Sequence, residues 1–119
     1  MNFDPGKLLK SFGYALRGLK IVLTSQQNFR IHLCIAFLVV AAGIATRLSV
    51  NEWCIIVLTI SVVFALEIVN TAIEKLVDLV SPAYNDHAGM VKDISAAAVL
   101  LTAIGAVIVG AIIFLPKIL

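Results

Sequence analysis

From Ile94 to Leu115 the chain runs for 22 residues without a charged side chain. A helix rises about 1.5 Å per residue, so about 20 such residues cross a hydrocarbon core roughly 30 Å thick. Two further stretches, Ile31 to Thr46 and Trp53 to Leu66, are also free of Asp, Glu, Lys and Arg. The first is short and needs its flanks, with Arg47 reaching back to the interface. The second must continue past Glu67 to complete a span. Composition agrees: 61% of the 119 residues are hydrophobic and 13% charged, against about a quarter charged in soluble domains. A soluble domain of this size has too little interior to hide that surface.

The expected architecture is all-α: one integral-membrane domain, residues 1–119, with three transmembrane helices and an amino-terminal amphipathic surface helix. The surface helix is placed at about 5–24. Leu8, Leu9, Phe12, Ala15, Leu16 and Leu19 form its apolar stripe, with Lys7, Lys10, Arg17 and Lys20 on or beside the other face. The spans are placed at about 29–47, 51–80 and 92–115. Thr24 to Asn28 is read as the turn into the first span. Arg47 to Trp53 forms the outer hairpin, with Ser49 or Asn51 capping the next helix, and Ser81 to Gly89 the inner loop. Small residues from Ser95 to Gly110 favour close helix approach. No secretory signal peptide is expected, because a polar segment precedes the first apolar run.

Seven of the nine Lys and Arg residues fall in the amino-terminal segment and around the inner loop, leaving Arg47 and Lys117 opposite. The N-terminus is therefore expected in the cytoplasm and the C-terminus outside. A net charge of +2 is too weak to suggest nucleic acid, and the basic face suits anionic headgroups. Cys34 and Cys54 fall in spans without metal-ligand spacing and read as small hydrophobes. "GYALRGLK" lacks both the Gly-Lys-Ser/Thr ending and the preceding strand of a P-loop.

The stretch "FALEIVNTAIEKLVDLVS" is different in kind. Counted inward from Trp53, Glu67 lies ~21 Å down and Glu74 ~10 Å deeper, at the cytoplasmic boundary. At about 100° per residue, Glu67, Glu74 and Asp78 share one face, flanked by Asn70 and Thr71. A charged group at Glu67's depth costs at least ~2.5 kcal/mol, so it requires a partner or a task. A purely structural network, pairing these carboxylates with Lys75 or Lys92, is one explanation.

Catalysis is the other. A carboxylate below the headgroups can take a proton from a lipid hydroxyl, and one at the membrane edge can hold Mg²⁺ on nucleotide phosphates. Lys92 and Asp93 add a cation and another oxygen ligand. Together these suggest phosphoryl transfer from a soluble nucleotide to a membrane alcohol.

"ALEIVNTAIEKLVDLV" followed by "KDISAAAVL", with "GYALRGLK" and "NFRIH" upstream, resembles the prokaryotic diacylglycerol kinase family. The resemblance covers nearly the whole chain. It implies a homotrimer with active sites shared between chains, ATP as co-substrate, Mg²⁺, and residence in the bacterial inner membrane. It implies Glu67 as catalytic base, with Asn70 beside it at the lipid substrate. It implies Glu74 as metal and nucleotide ligand, and Lys92 and Asp93 as the nucleotide-contacting pair. Tyr14, Lys7, and Ala83, Tyr84 and Asn85 of the inner loop are implied at the nucleotide. Gln26 stands where the family usually has a glutamate assisting at the metal; it keeps an oxygen but brings no charge.

"NEW", "FALEIVNTAIE", "NFRIH" and "IIFLPK" look more like the undecaprenol kinase branch, while the catalytic face suits diacylglycerol equally. A non-catalytic small membrane protein and a degenerate, nucleotide-binding kinase remain as other readings. His32 and His87 are left as structural hydrogen bonders or site residues.

Overall fold

The structure, a computed structural model, describes residues 2–119. Four helices follow one another: α1 (Pro5–Ser25), α2 (Gln27–Thr46), α3 (Val50–Val80) and α4 (Asp86–Ile118). The last three are long and apolar enough to cross a membrane. The protein is an all-α, multi-pass membrane protein with an amphipathic helix ahead of its spans.

Local chemistry sets each boundary. Asp4 caps α1 by accepting from the backbone N–H groups of Gly6 and Lys7 at 3.0 and 3.2 Å, and Pro5 takes the first helical position. The break between α1 and α2 is one residue, Gln26, with extended backbone. It is tighter than the five-residue turn expected from "TSQQN". Thr24 and Ser25 stay helical because their hydroxyls bond back to the Lys20 and Ile21 carbonyls. Arg30 then folds back, donating to the carbonyls of Leu23 at 3.1 Å and Thr24 at 3.0 Å. A guanidinium on the open carbonyls of a helix C-terminus satisfies both hydrogen bonding and the helix dipole.

At the hairpin between α2 and α3, Ser49 rather than Asn51 caps α3. Its hydroxyl accepts from the Glu52 backbone at 3.2 Å, and Glu52 accepts from the Ser49 backbone at 3.0 Å, a reciprocal capping box. The chain reverses through Arg47, which adopts a left-handed conformation with φ 54°. Asn85 caps α4, accepting from Ala88 N–H at 2.8 Å. This cap starts the helix at Asp86, ahead of the span expected from residue 92.

α3 and α4 lie antiparallel along their length. At the end nearest the α2–α3 hairpin, Lys117 meets Glu52 at 3.3 Å. Next inward comes the apolar core of Leu48, Ile56 and Ile113, covered by Val39, Trp53, Ile60, Val109 and Phe114. Further in, Phe29 of α2 packs on Phe64 of α3 with ring centroids 5.1 Å apart. Large apolar side chains such as Phe37, Leu79, Leu101 and Val107 are exposed in the single chain, as befits surface that meets lipid or another protein.

Candidate functional site

Among the described residues, the buried polar or charged side chains are Glu67, Thr71 and Ser95. All three lie on the seam between α3 and α4, or on the α3 face toward α2. Most hydroxyls in the spans bond to carbonyls of their own helix: Thr59 to Ile55, Ser61 to Val57, Thr71 to Glu67, Thr102 to Ala98 and Val99. Such hydroxyls are satisfied locally and join nothing. Ser95 instead reaches across, donating to Asn70 Oδ1 at 2.7 Å.

From that contact the seam can be followed in both directions. Toward the loop joining α3 to α4, Asn70 donates through Nδ2 to Glu74 Oε1 at 3.2 Å. One turn further, Asp78 pairs with Lys92 of α4 at 2.6 Å. Toward the membrane interior, Glu67 is only 4% exposed. His32 of α2 brings its Nε2 to 3.2 Å from Glu67 Oε1. The approach is close but off-line, so Oε1 is fully buried without an aligned hydrogen-bond donor. A buried carboxylate oxygen left this way carries a desolvation penalty that structure alone does not offset.

The residues singled out in the sequence divide into two groups. Glu67, Asn70, Glu74 and Lys92 are brought together with Asp78 on one continuous polar seam. Lys92 takes part through Asp78, as the structural-network reading anticipated for this lysine, while Lys75 is exposed and has no ion pair among the described residues.

The others make no side-chain hydrogen bond or ion pair to the seam among the described residues. Lys7 and Tyr14 lie exposed on α1, and Asp93 is exposed on α4. Gln26 is half-buried at the α1–α2 break, and no hydrogen bond ties its side chain to Glu74. In the inner loop the Ala83 carbonyl accepts from Ser81 at 2.9 Å, and Asn85 donates to the same hydroxyl at 2.9 Å. Tyr84 is 83% exposed, its ring close over Gly89. His87 is exposed beside them.

Three participants have no assigned chemistry in the sequence alone. Ser95 presents itself there only as one of a run of small residues, although it sits one helical turn from Lys92 and so shares its face. Asp78 falls on the stripe with no catalytic role. His32 stays undecided because nothing along the sequence ties α2 to Glu67.

Fold and seam together define an integral-membrane protein with a buried ionisable group, Glu67, midway along a candidate span and a charged pair, Asp78 and Lys92, further along the same seam. Residues 13–114 match the prokaryotic diacylglycerol kinase family. The chain belongs to that family and is a lipid kinase. It is 40% identical over 114 residues to an undecaprenol kinase of Bacillus subtilis, covering 96% of this chain and 93% of that protein. It is 42% identical over 113 residues to a diacylglycerol kinase of Synechocystis sp., covering 94% of this chain and 65% of that protein. A diacylglycerol kinase of Escherichia coli K12 is 29% identical over 107 residues, 90% of this chain and 88% of its own.

Proposed function

We propose that the protein transfers the γ-phosphoryl group of ATP to the hydroxyl of undecaprenol, giving undecaprenyl phosphate and ADP. The observation that carries the mechanism is the buried Glu67 carboxylate, with an oxygen lacking an aligned donor, at the inner end of a membrane seam. Its position suits a base that takes the proton of a lipid hydroxyl as the oxygen attacks phosphorus. Asn70 and Ser95 hold the neighbouring turn in register.

Glu74 has the donor chemistry for Mg²⁺. Its Oε1 meets Asn70, and among the described residues its Oε2 accepts no hydrogen bond. Mg²⁺ in kinases characteristically takes one or two carboxylates and completes its shell with phosphate oxygens and water. When bound, it neutralises charge on the transferring phosphates. Gln26 would offer a second oxygen. Lys92, released from or shared with Asp78, would steady the phosphates, with Asp93, Lys7, Tyr14, Ala83, Tyr84 and Asn85 lining the nucleotide.

The extent of exposed apolar surface on the single chain supports a homotrimer, and the family resemblance supports sites shared between copies. The distribution of Lys and Arg supports a bacterial inner-membrane protein with its N-terminus in the cytoplasm and its C-terminus outside. The whole chain then works as a single kinase domain.

Undecaprenol is favoured because the undecaprenol kinase relative matches across nearly the full length of both chains. Diacylglycerol is the second reading, favoured by the Synechocystis relative at 42% identity. Detergent-solubilised protein with Mg²⁺, labelled ATP and either lipid separates them. Preferential label in undecaprenol supports the proposal, and preferential label in diacylglycerol replaces it with phosphatidic acid synthesis. No label in either lipid at any Mg²⁺ concentration points to a degenerate kinase or a non-catalytic membrane protein.

A further inference from the structure

Beside the seam, α2, α3 and α4 line a half-open cavity of about 310 Å³. Its wall is apolar along Ile35, Val39, Ile60, Val63 and Val107, with His32 and Thr59 the polar residues among those that line it. Thr59 is satisfied by the Ile55 carbonyl at 2.7 Å. Glu67 itself does not line this space. His32 does, and the same side chain reaches Glu67 Oε1 at 3.2 Å. The imidazole is thus the point at which an apolar space within the membrane meets the buried carboxylate.

We propose that His32 is a positioning residue for Glu67. As substrate binds, the Nε2–H of His32 turns onto Oε1 and so fixes the carboxylate's rotation, leaving the other oxygen to face the acceptor hydroxyl. The role rests on Glu67 being the base. It explains why a buried carboxylate oxygen has an imidazole as its near neighbour and no aligned donor. Catalytic hydrogen bonds are often long or misaligned before substrate binds and tighten in the complex. The imidazole of His32 is one quarter exposed and has space on its cavity side to make that adjustment. No proton passes to or from His32 in this account. It acts through the orientation of Glu67, and a misplacement of about 1 Å at a reacting group can lower a rate by about a hundredfold.

The test is a set of full-length variants assayed in detergent with undecaprenol, Mg²⁺ and ATP: His32→Leu, His32→Gln, His32→Asn and Glu67→Gln. The Gln side-chain amide reaches about where Nε2 lies, whereas the Asn amide stops short of it. His32→Leu and His32→Asn are expected to lower kcat about tenfold or more, with KM for Mg-ATP within about twofold of wild type. His32→Gln is expected to retain most of kcat.

Wild-type kcat in His32→Leu overturns the proposal, as does equal loss in His32→Gln and His32→Asn. The Gln–Asn comparison decides the matter if His32→Leu fails to assemble. An inactive Glu67→Gln beside a fully active His32→Leu removes the role of His32 alone. An active Glu67→Gln removes the base on which it depends.

Discussion

Ser95 on α4 donates its hydroxyl to Asn70 Oδ1 on α3 at 2.7 Å. That bond is the one side-chain hydroxyl contact joining two spans among the described residues, and it falls one turn from Glu74. Asn70 spends its other polar end on Glu74 at 3.2 Å. Orientation therefore passes from α4 to the carboxylate proposed to hold the metal. Ser95→Ala is expected to remove about 1 kcal/mol. Felt at the metal and nucleotide, that is about a fivefold rise in KM for Mg-ATP. Steady-state kinetics at varied Mg-ATP checks this, and an unchanged KM would detach Asn70 from the metal site.

Lys92 and Asp78 meet at 2.6 Å with both side chains well exposed, 39% and 66%. Exposed pairs contribute little to stability. Asp78→Asn is accordingly expected to leave the unfolding transition almost unmoved and to keep substantial activity, since it frees the lysine. Lys92→Met is expected to lower kcat/KM for ATP by tenfold or more, about the loss of one charged contact to phosphate. Equal effects from the two variants would show that the pair matters as a clasp and not as a phosphate site.

At the proposed metal site, Gln26 would bring an amide where a carboxylate would add charge. Gln26→Glu is predicted to lower the Mg²⁺ concentration giving half-maximal activity, because a carboxylate binds this ion better than a neutral amide. Magnesium titrations of the two proteins decide it. An unchanged midpoint would place residue 26 outside the metal's reach.

Gly43 is buried where α2 meets the α2–α3 hairpin. A Cβ there would come within 2.7 Å of the Trp53 ring and 2.9 Å of Leu48. Gly43→Val is expected to destabilise the fold by about 1–3 kcal/mol through overpacking. Activity per folded molecule should hold, because the perturbed corner belongs to the apolar core beside the α2–α3 hairpin and not to the polar seam. Unfolding in mixed micelles beside kinase assays tests both halves.

How much of this was legible beforehand follows from what each pattern encodes. Charge-free runs disclosed the spans because the bilayer penalises every exposed charge along a crossing segment. The common face of Glu67, Glu74 and Asp78 was legible because helix periodicity fixes angles within one element. Which residue of another helix stands opposite was not. The meeting of Ser95 with Asn70, and of His32 with Glu67, depends on the relative height and rotation of two helices. Phe29 on Phe64 sets one of those registers and the outer core of Ile56 and Ile113 the other. The polar run Thr24–Asn28 predicted a longer turn than exists. Its hydroxyls and Arg30 satisfy the helix end from within, and only Gln26 leaves the helix.

The central claim is that Glu67 takes the proton of the lipid hydroxyl. Its most direct test is label transfer from ATP to undecaprenol by Glu67→Gln beside wild type, with helix content and assembly size shown to be equal. Loss of about 10²- to 10⁴-fold in kcat is predicted, the range expected when a general base is removed. Wild-type turnover in a well-folded Glu67→Gln protein would contradict it.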